Sequence, residues 1–324
     1  MTPIVPKKTR AHLEWGRVLQ RLSEHCRGPV AAGEALGLEF AESREALDTR
    51  LSRVTEARRL LDDRRFPPLG NPPDVDRPVS LARRGGLLEA EDLIGIGAHL
   101  ESAWRTRQFL LELDDLAPAL AALAEDLVDL PGLARELQES FDERGDVVDS
   151  ASGELGHLRT RVTHLHEQLK QSIHSLLGDS EYNDLLQDDY YTIREDRYVL
   201  PIKSGHKRHV PGIVHGWSAS GATVYIEPQP VVDANNRLLM AQADVDKEIR
   251  RVLKRLSKQV GEHAPAIRAS QTVLAAIDLA FAGGHLSAEL DASPPLLAEP
   301  GEPFHLREAR HPLLVLTGEV KVVP

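Results

Sequence analysis

The tetrapeptide Ser218-Ala-Ser-Gly221 lies between two strand-like runs and is the first place to look for a nucleophile. A nucleophile elbow, G-x-S-x-G on a strand-to-helix turn, needs glycine where Ser220 stands, and the chain continues into a strand rather than a helix. Two readings remain for Ser218, Ser220 and Gly221: a turn of small residues whose backbone amides face a phosphate, or a plain hairpin turn. Histidines are the next candidates. His157, His164, His166, His174, His206, His209 and His215 lie close in sequence, but neither H-E-x-x-H nor a Cys/His spacing occurs, so no metal site is expected. Gly95-Ile-Gly97 lacks the third glycine of a dinucleotide loop. The chain contains no Gly-Lys dipeptide, which every P-loop requires, so no ATP site is expected in these residues.

Charge carries more information. The 324 residues hold 39 Lys and Arg against 50 Asp and Glu, a formal charge of -11, yet the window 190–258 has twelve basic residues and seven acidic ones. That window is +5 and the remainder -16. A basic segment on an acidic chain can track phosphates, with affinity that falls as salt rises. The same pattern also describes a solvated coiled-coil face. The candidate phosphate contacts are Arg194, Arg197, Lys203, Lys207 and Arg208, and then Arg250, Arg251, Lys254 and Arg255. Gly212 and Gly221 are expected to shape turns, and Asn235 a helix start.

The elements that must position these cations follow from periodicity. Leu155, Leu158, Val162, Leu165 and Leu169 are spaced 3-4-3-4, and the pattern returns at Leu238, Val245, Ile249, Val252, Leu256 and Val260. Neither apolar stripe is wide enough for a globular core, but two of them face to face would bury both. Between them, Tyr190–Leu200, Val210–Trp217 and Ala222–Ile226 are rich in β-branched and aromatic residues and broken by glycines, as strands are. The expected fold is mainly α: a helical core (1–150), an outgoing helix (151–182), a small antiparallel β subdomain (183–230), a returning helix (231–263) and a further core helix (264–290). Pro-rich 291–303 reads as a linker. Leu313–Leu316 and Val320–Val323 look like strand fragments of a further domain that 304–324 only begins. The single Cys26, the lack of an apolar leader and the absence of any long apolar run point to a reducing cytoplasm and no membrane span.

Several stretches resemble the MutS family. They are Gly145-Asp-Val-Val-Asp-Ser-Ala-Ser-Gly-Glu-Leu155, Tyr191-Thr-Ile-Arg-Glu-Asp-Arg-Tyr-Val-Leu-Pro-Ile-Lys203, Gly212-Ile-Val-His-Gly-Trp-Ser-Ala-Ser-Gly-Ala-Thr-Val-Tyr-Ile-Glu-Pro228 and Val232-Asp-Ala-Asn-Asn-Arg-Leu238. The resemblance is to its second branch, which lacks the mismatch-reading domain and ends in a Smr endonuclease. It implies that 149–260 is the lever and clamp and that 10–145 belongs to the helical core. Arg307-Glu-Ala-Arg-His-Pro-Leu-Leu314 resembles the opening of the family's ATPase domain. Family members are dimeric ATPases that use ATP and magnesium, bind branched or mismatched DNA and restrain recombination. Some act on stalled ribosomes instead, which makes rRNA an alternative partner. The resemblance gives this chain no catalytic residue, no cofactor and no metal of its own.

Overall fold

The computed structural model describes residues 6–298, 302–303 and 305–317. Thirteen α-helices and four strands are assigned among them. In chain order they are α1 (Lys7–His12), α2 (Trp15–His25), α3 (Pro29–Leu36), α4 (Arg44–Asp62), α5 (Asp76–Arg83), α6 (Ala90–Leu111), α7 (Pro118–Ala124), α8 (Pro131–Glu139), α9 (Leu155–Leu177) and α10 (Ser180–Asn183). There follow β1 (Thr192–Arg194), β2 (Arg197–Lys203), β3 (Gly212–Trp217) and β4 (Thr223–Pro228), then α11 (Gln229–Glu262), α12 (Ala264–Glu289) and α13 (Pro312–Thr317). The chain divides into two compact units, Met1–Asp146 with Arg255–Pro324, and Val147–Lys254.

The first unit is helical, and proline marks where its helices begin. Pro29, Pro118, Pro131 and Pro265 all sit in a first turn, where a missing N–H costs nothing and the fixed φ suits a helix. α12 packs against α4, α2 and α3, and Leu60, Ala103, Leu110, Leu120, Leu274, Ile277 and Phe281 form one core cluster. Two buried carboxylates take up the free amides that helix starts leave. Asp278 accepts from the N–H groups of Arg27 and Gly28 at the start of α3, and Glu56 accepts from those of Ala119 and Leu120 at α7. Cys26 ends α2 with its Sγ 3.6 Å from the Leu22 carbonyl oxygen. Burial, with the nearby Asp278 charge, pushes its thiol up to about 12.

The second unit joins α9, the sheet and most of α11. α9 and α11 run antiparallel: Arg161 pairs with Asp244 at 3.6 Å, and Ser152 donates to Glu248 nearer the start of α9. Of the expected seam, Leu169 and Leu238 are buried in one cluster, with Val162 and Leu165 partly buried against it. Leu169, Ile173 and Leu177 of α9 and Val231 and Leu238 of α11 share a cluster with Tyr198, Leu200, Ile202, Val224 and Ile226 of the sheet. The strands lie in the order β1-β2-β4-β3, every pair antiparallel. Even-numbered residues of β2 and β4 face this cluster, as the two-residue period of a strand requires.

Four sequence expectations need correction. Tyr190–Leu200 is a hairpin rather than one strand: Glu195 and Asp196 turn it with φ of 49° and 58°, the left-handed pair of a type I′ turn. Leu313–Leu316 lies in α13, with Leu313 buried; an apolar run of four cannot by its pattern distinguish strand from helix. Asn235 lies inside α11, which starts at Gln229, and Gly212 opens β3 rather than a turn. A Cβ on Gly212 would lie 2.1 Å from the Glu227 carbonyl oxygen, so glycine is required there by the close approach of β4. Val320–Val323 lie outside the described residues.

Candidate nucleic-acid interface

The candidate site is the sheet, the turn Ser204–His209 that follows β2, and the exposed strip of α11 within Val147–Lys254. Its rigidity comes from a buried carboxylate. Glu227, at 0% exposure, accepts hydrogen bonds at Oε1 from Arg197 Nη1 and Asn235 Nδ2, both at 2.8 Å, while its Oε2 lies 2.8 Å from His215 Nε2. Arg197 also donates to Asn236 Oδ1 at 2.7 Å. A buried charge is tolerated when its lone pairs are occupied in this way. Glu227 of β4 is thus joined to Arg197 of β2, His215 of β3 and Asn235 of α11, so the network fixes the sheet to the start of α11. Periodicity and charge counting gave no sign of it.

The nine candidate cations fall into four groups. Arg197, Arg251 and Arg255 hold carboxylates of the chain itself: Glu227, Glu248 and Glu136. Arg251 donates to Glu248 at 2.6 and 2.7 Å; with the Ser152 hydroxyl it holds that carboxyl down at about 2. Arg194 and Lys207 lie over aromatic rings, Arg194 at 4.4 Å from the Tyr225 centroid and Lys207 at 5.0 Å from that of Trp217. Lys203 donates to the Asp184 carbonyl oxygen, beside the acidic stretch Asp184–Asp189. Arg208, Arg250 and Lys254 are exposed and have no ion-pair partner among the described residues. Lys247 joins Arg250 and Lys254 at spacings of three and four, which sets all three on one face of α11.

The folded unit also changes the charge picture. Val147–Lys254 holds thirteen Lys and Arg against fifteen Asp and Glu, because residues 147–189 add eight acids against three bases and Arg255 and Lys258 fall outside the unit. The unit is therefore not basic as a whole. Ten of its thirteen cations lie on the sheet, the turn after β2 and α11, and only part of that set is uncommitted.

The turn between β3 and β4 is a closed loop of hydrogen bonds. Ser218 N–H donates to the Thr223 carbonyl, Gly221 N–H to the Ser218 carbonyl, and Thr223 N–H to Ser218 Oγ. Gly221 has φ of 72°, and Ser218 Oγ and Ser220 Oγ are 3.3 Å apart. No histidine or carboxylate is bonded to either hydroxyl among the described residues, so neither is activated as a nucleophile. Those residues contain no group of three or more His, Cys, Asp or Glu that could hold a metal ion, and no helix long and apolar enough to cross a membrane. Trp217 and Tyr225 were missed in the sequence, where basic residues interleaved with aromatics near a turn were the available signal.

No known-family profile matches the chain. Curated relatives match nearly all of it. It is 37% identical to the Endonuclease MutS2 of an Anaeromyxobacter species over 98% of the chain, and 35% identical to that of Pelotomaculum thermopropionicum over 97%. The protein of the same name from Geobacillus thermodenitrificans is 32% identical over 96% of the chain. In each case the chain spans about 40% of the relative's length.

Proposed function

Because the chain belongs to the MutS2 family along the stretch it shares with these relatives, we propose that its sheet and the adjoining face of α11 act as clamp and lever on nucleic acid. The ligand in this reading is branched or mismatched DNA, and the role of the complete protein is to suppress recombination. The supporting observation is the set of exposed cations without an internal acid: Arg208 beside the sheet, and Lys247, Arg250 and Lys254 along one face of α11. Such residues release counterions when they meet phosphates. Arg197, Arg251 and Arg255 instead hold the chain's own carboxylates, which makes them supports of the fold.

Magnesium-ATP turnover and endonuclease activity belong, in this proposal, to a complete dimeric protein and not to these residues. The chain has no Gly-Lys dipeptide, so the residues present do not fit a P-loop.

The test is the salt dependence of binding to a four-way DNA junction. Lys207→Glu/Arg208→Glu is expected to weaken binding and to shallow the slope of log affinity against log salt by about 2, near 0.9 per phosphate contact. Unchanged affinity and slope would remove the reading. Competition by purified ribosomes at the same variant-sensitive site would move the assignment from DNA to rRNA.

A further inference from the structure

The phosphate contacts leave Trp217 unexplained. A tryptophan that only filled a core would bury its indole, yet this residue stays 50% exposed at the end of β3. Its direction is set by a bulge. Val214 pairs with Ile226, and an unbroken ladder would put Trp217 opposite Thr223; the register shifts between Val214 and Trp217, so its partner is Val224. Gly216 makes the shift possible with φ of 119°, a conformation that a side chain would strain. Since side chains alternate across a strand, the slip carries Trp217 from the face of Tyr225 to the opposite one.

There Lys207, from the turn after β2, lies with its ammonium over the indole ring, and the exposed Arg208 is its neighbour in the chain. A cation on one face of the ring leaves the other face to account for the exposure. A flat, partly exposed ring beside two cations suits a nucleotide whose base stacks on the ring while its phosphate meets the cations. A base inside a duplex is already stacked on both sides and cannot offer that face.

We propose that Trp217 stacks an unpaired nucleobase while Lys207 and Arg208 hold the adjoining phosphate, so that this end of the sheet selects unpaired nucleotides over duplex. The proposal rests on the nucleic-acid reading above and adds a substrate class to it.

The experiment titrates the 324-residue chain against labelled oligothymidine, oligouridine and a blunt DNA duplex, and follows anisotropy at several salt concentrations. Trp217→Ala and Trp217→Leu, the second keeping apolar bulk without a π face, should each weaken single-strand binding about tenfold and duplex binding less than twofold. Trp217→Phe should recover most of the lost affinity. The two single strands separate a deoxyribose from a ribose source, and a Trp217-dependent loss on either supports the proposal. Equal losses on strand and duplex, no loss on either, or full retention in Trp217→Leu would overturn it. A wild-type chain that binds with a normal salt slope but no Trp217 dependence defeats the stacking alone. A wild-type chain with no salt-dependent binding to any of the three defeats the phosphate reading as well.

Discussion

Asn235 brackets the backbone of Tyr198: its Oδ1 accepts from the Tyr198 N–H and its Nδ2 donates to the Tyr198 carbonyl oxygen, each at 3.1 Å. The same Nδ2 also reaches Glu227. One side chain of α11 therefore satisfies two backbone groups of β2 and one lone pair of a buried carboxylate. Asn235→Ala should leave all three short of a partner and destabilise the sheet by about 1–3 kcal/mol. Hydrogen exchange at the amides of Arg197–Lys203 should speed up accordingly. Asn235→Asp should do worse, since it sets a second carboxylate against Glu227. Unchanged protection in both variants would show that the contact has no energetic role.

His99 of α6 is 1% exposed, and neither ring nitrogen has a hydrogen-bond partner among the described residues. Burial pushes its imidazole down to about 4. The unfolded chain, with an ordinary imidazole near 6.5, binds the proton first. Stability contributed by neutral His99 is therefore complete above about pH 6.5 and is lost as the pH falls from there toward 4, a change on the order of 3 kcal/mol. His99→Leu should remove that portion of the acid sensitivity. Denaturant midpoints measured between pH 4 and 7 would expose an error if both proteins lost stability in parallel.

The division among the cations predicts different phenotypes for residues of the same charge. Arg250→Ala/Lys254→Ala should weaken junction binding, reduce the salt slope by about 2 and leave unfolding within about 0.5 kcal/mol of wild type. Arg197→Ala should destabilise the sheet by about 3 kcal/mol, because it strips a buried carboxylate of its guanidinium partner. Nucleic-acid titrations and thermal unfolding of the same preparations decide the matter. A stability loss in the double variant, or none in Arg197→Ala, would reverse the assignment.

The long elements were legible in the sequence because burial imposed a period on them. Leu155 to Leu169 and Leu238 to Val260 repeat in heptads, since each helix presents one narrow stripe to its partner, and the strand-rich stretch between them stood out by composition. The hairpin at Glu195-Asp196 was hidden because its left-handed turn is built without asparagine or glycine. Asn235 was misplaced because a buried asparagine inside a helix looks, in sequence, like a helix start. Trp217 was read as one more strand residue, since a bulge that turns it to the other face leaves no mark but a preceding glycine. The charge window could not separate Arg197 from Arg208. That distinction depends on Glu227, a strand residue that meets Arg197 only when β2 and β4 pair.

Cys26 offers a practical route to watching the β3–β4 turn. Only the thiolate reacts with maleimides, and a thiol held near 12 is ionised to on the order of one part in 10⁵ at neutral pH. The native cysteine can therefore stay in place while Ala219→Cys supplies a reactive, exposed thiol in the β3–β4 turn. A single fluorophore would then sit beside Trp217, and its quenching as a strand engages would time the encounter directly, with no cysteine-free background to prepare.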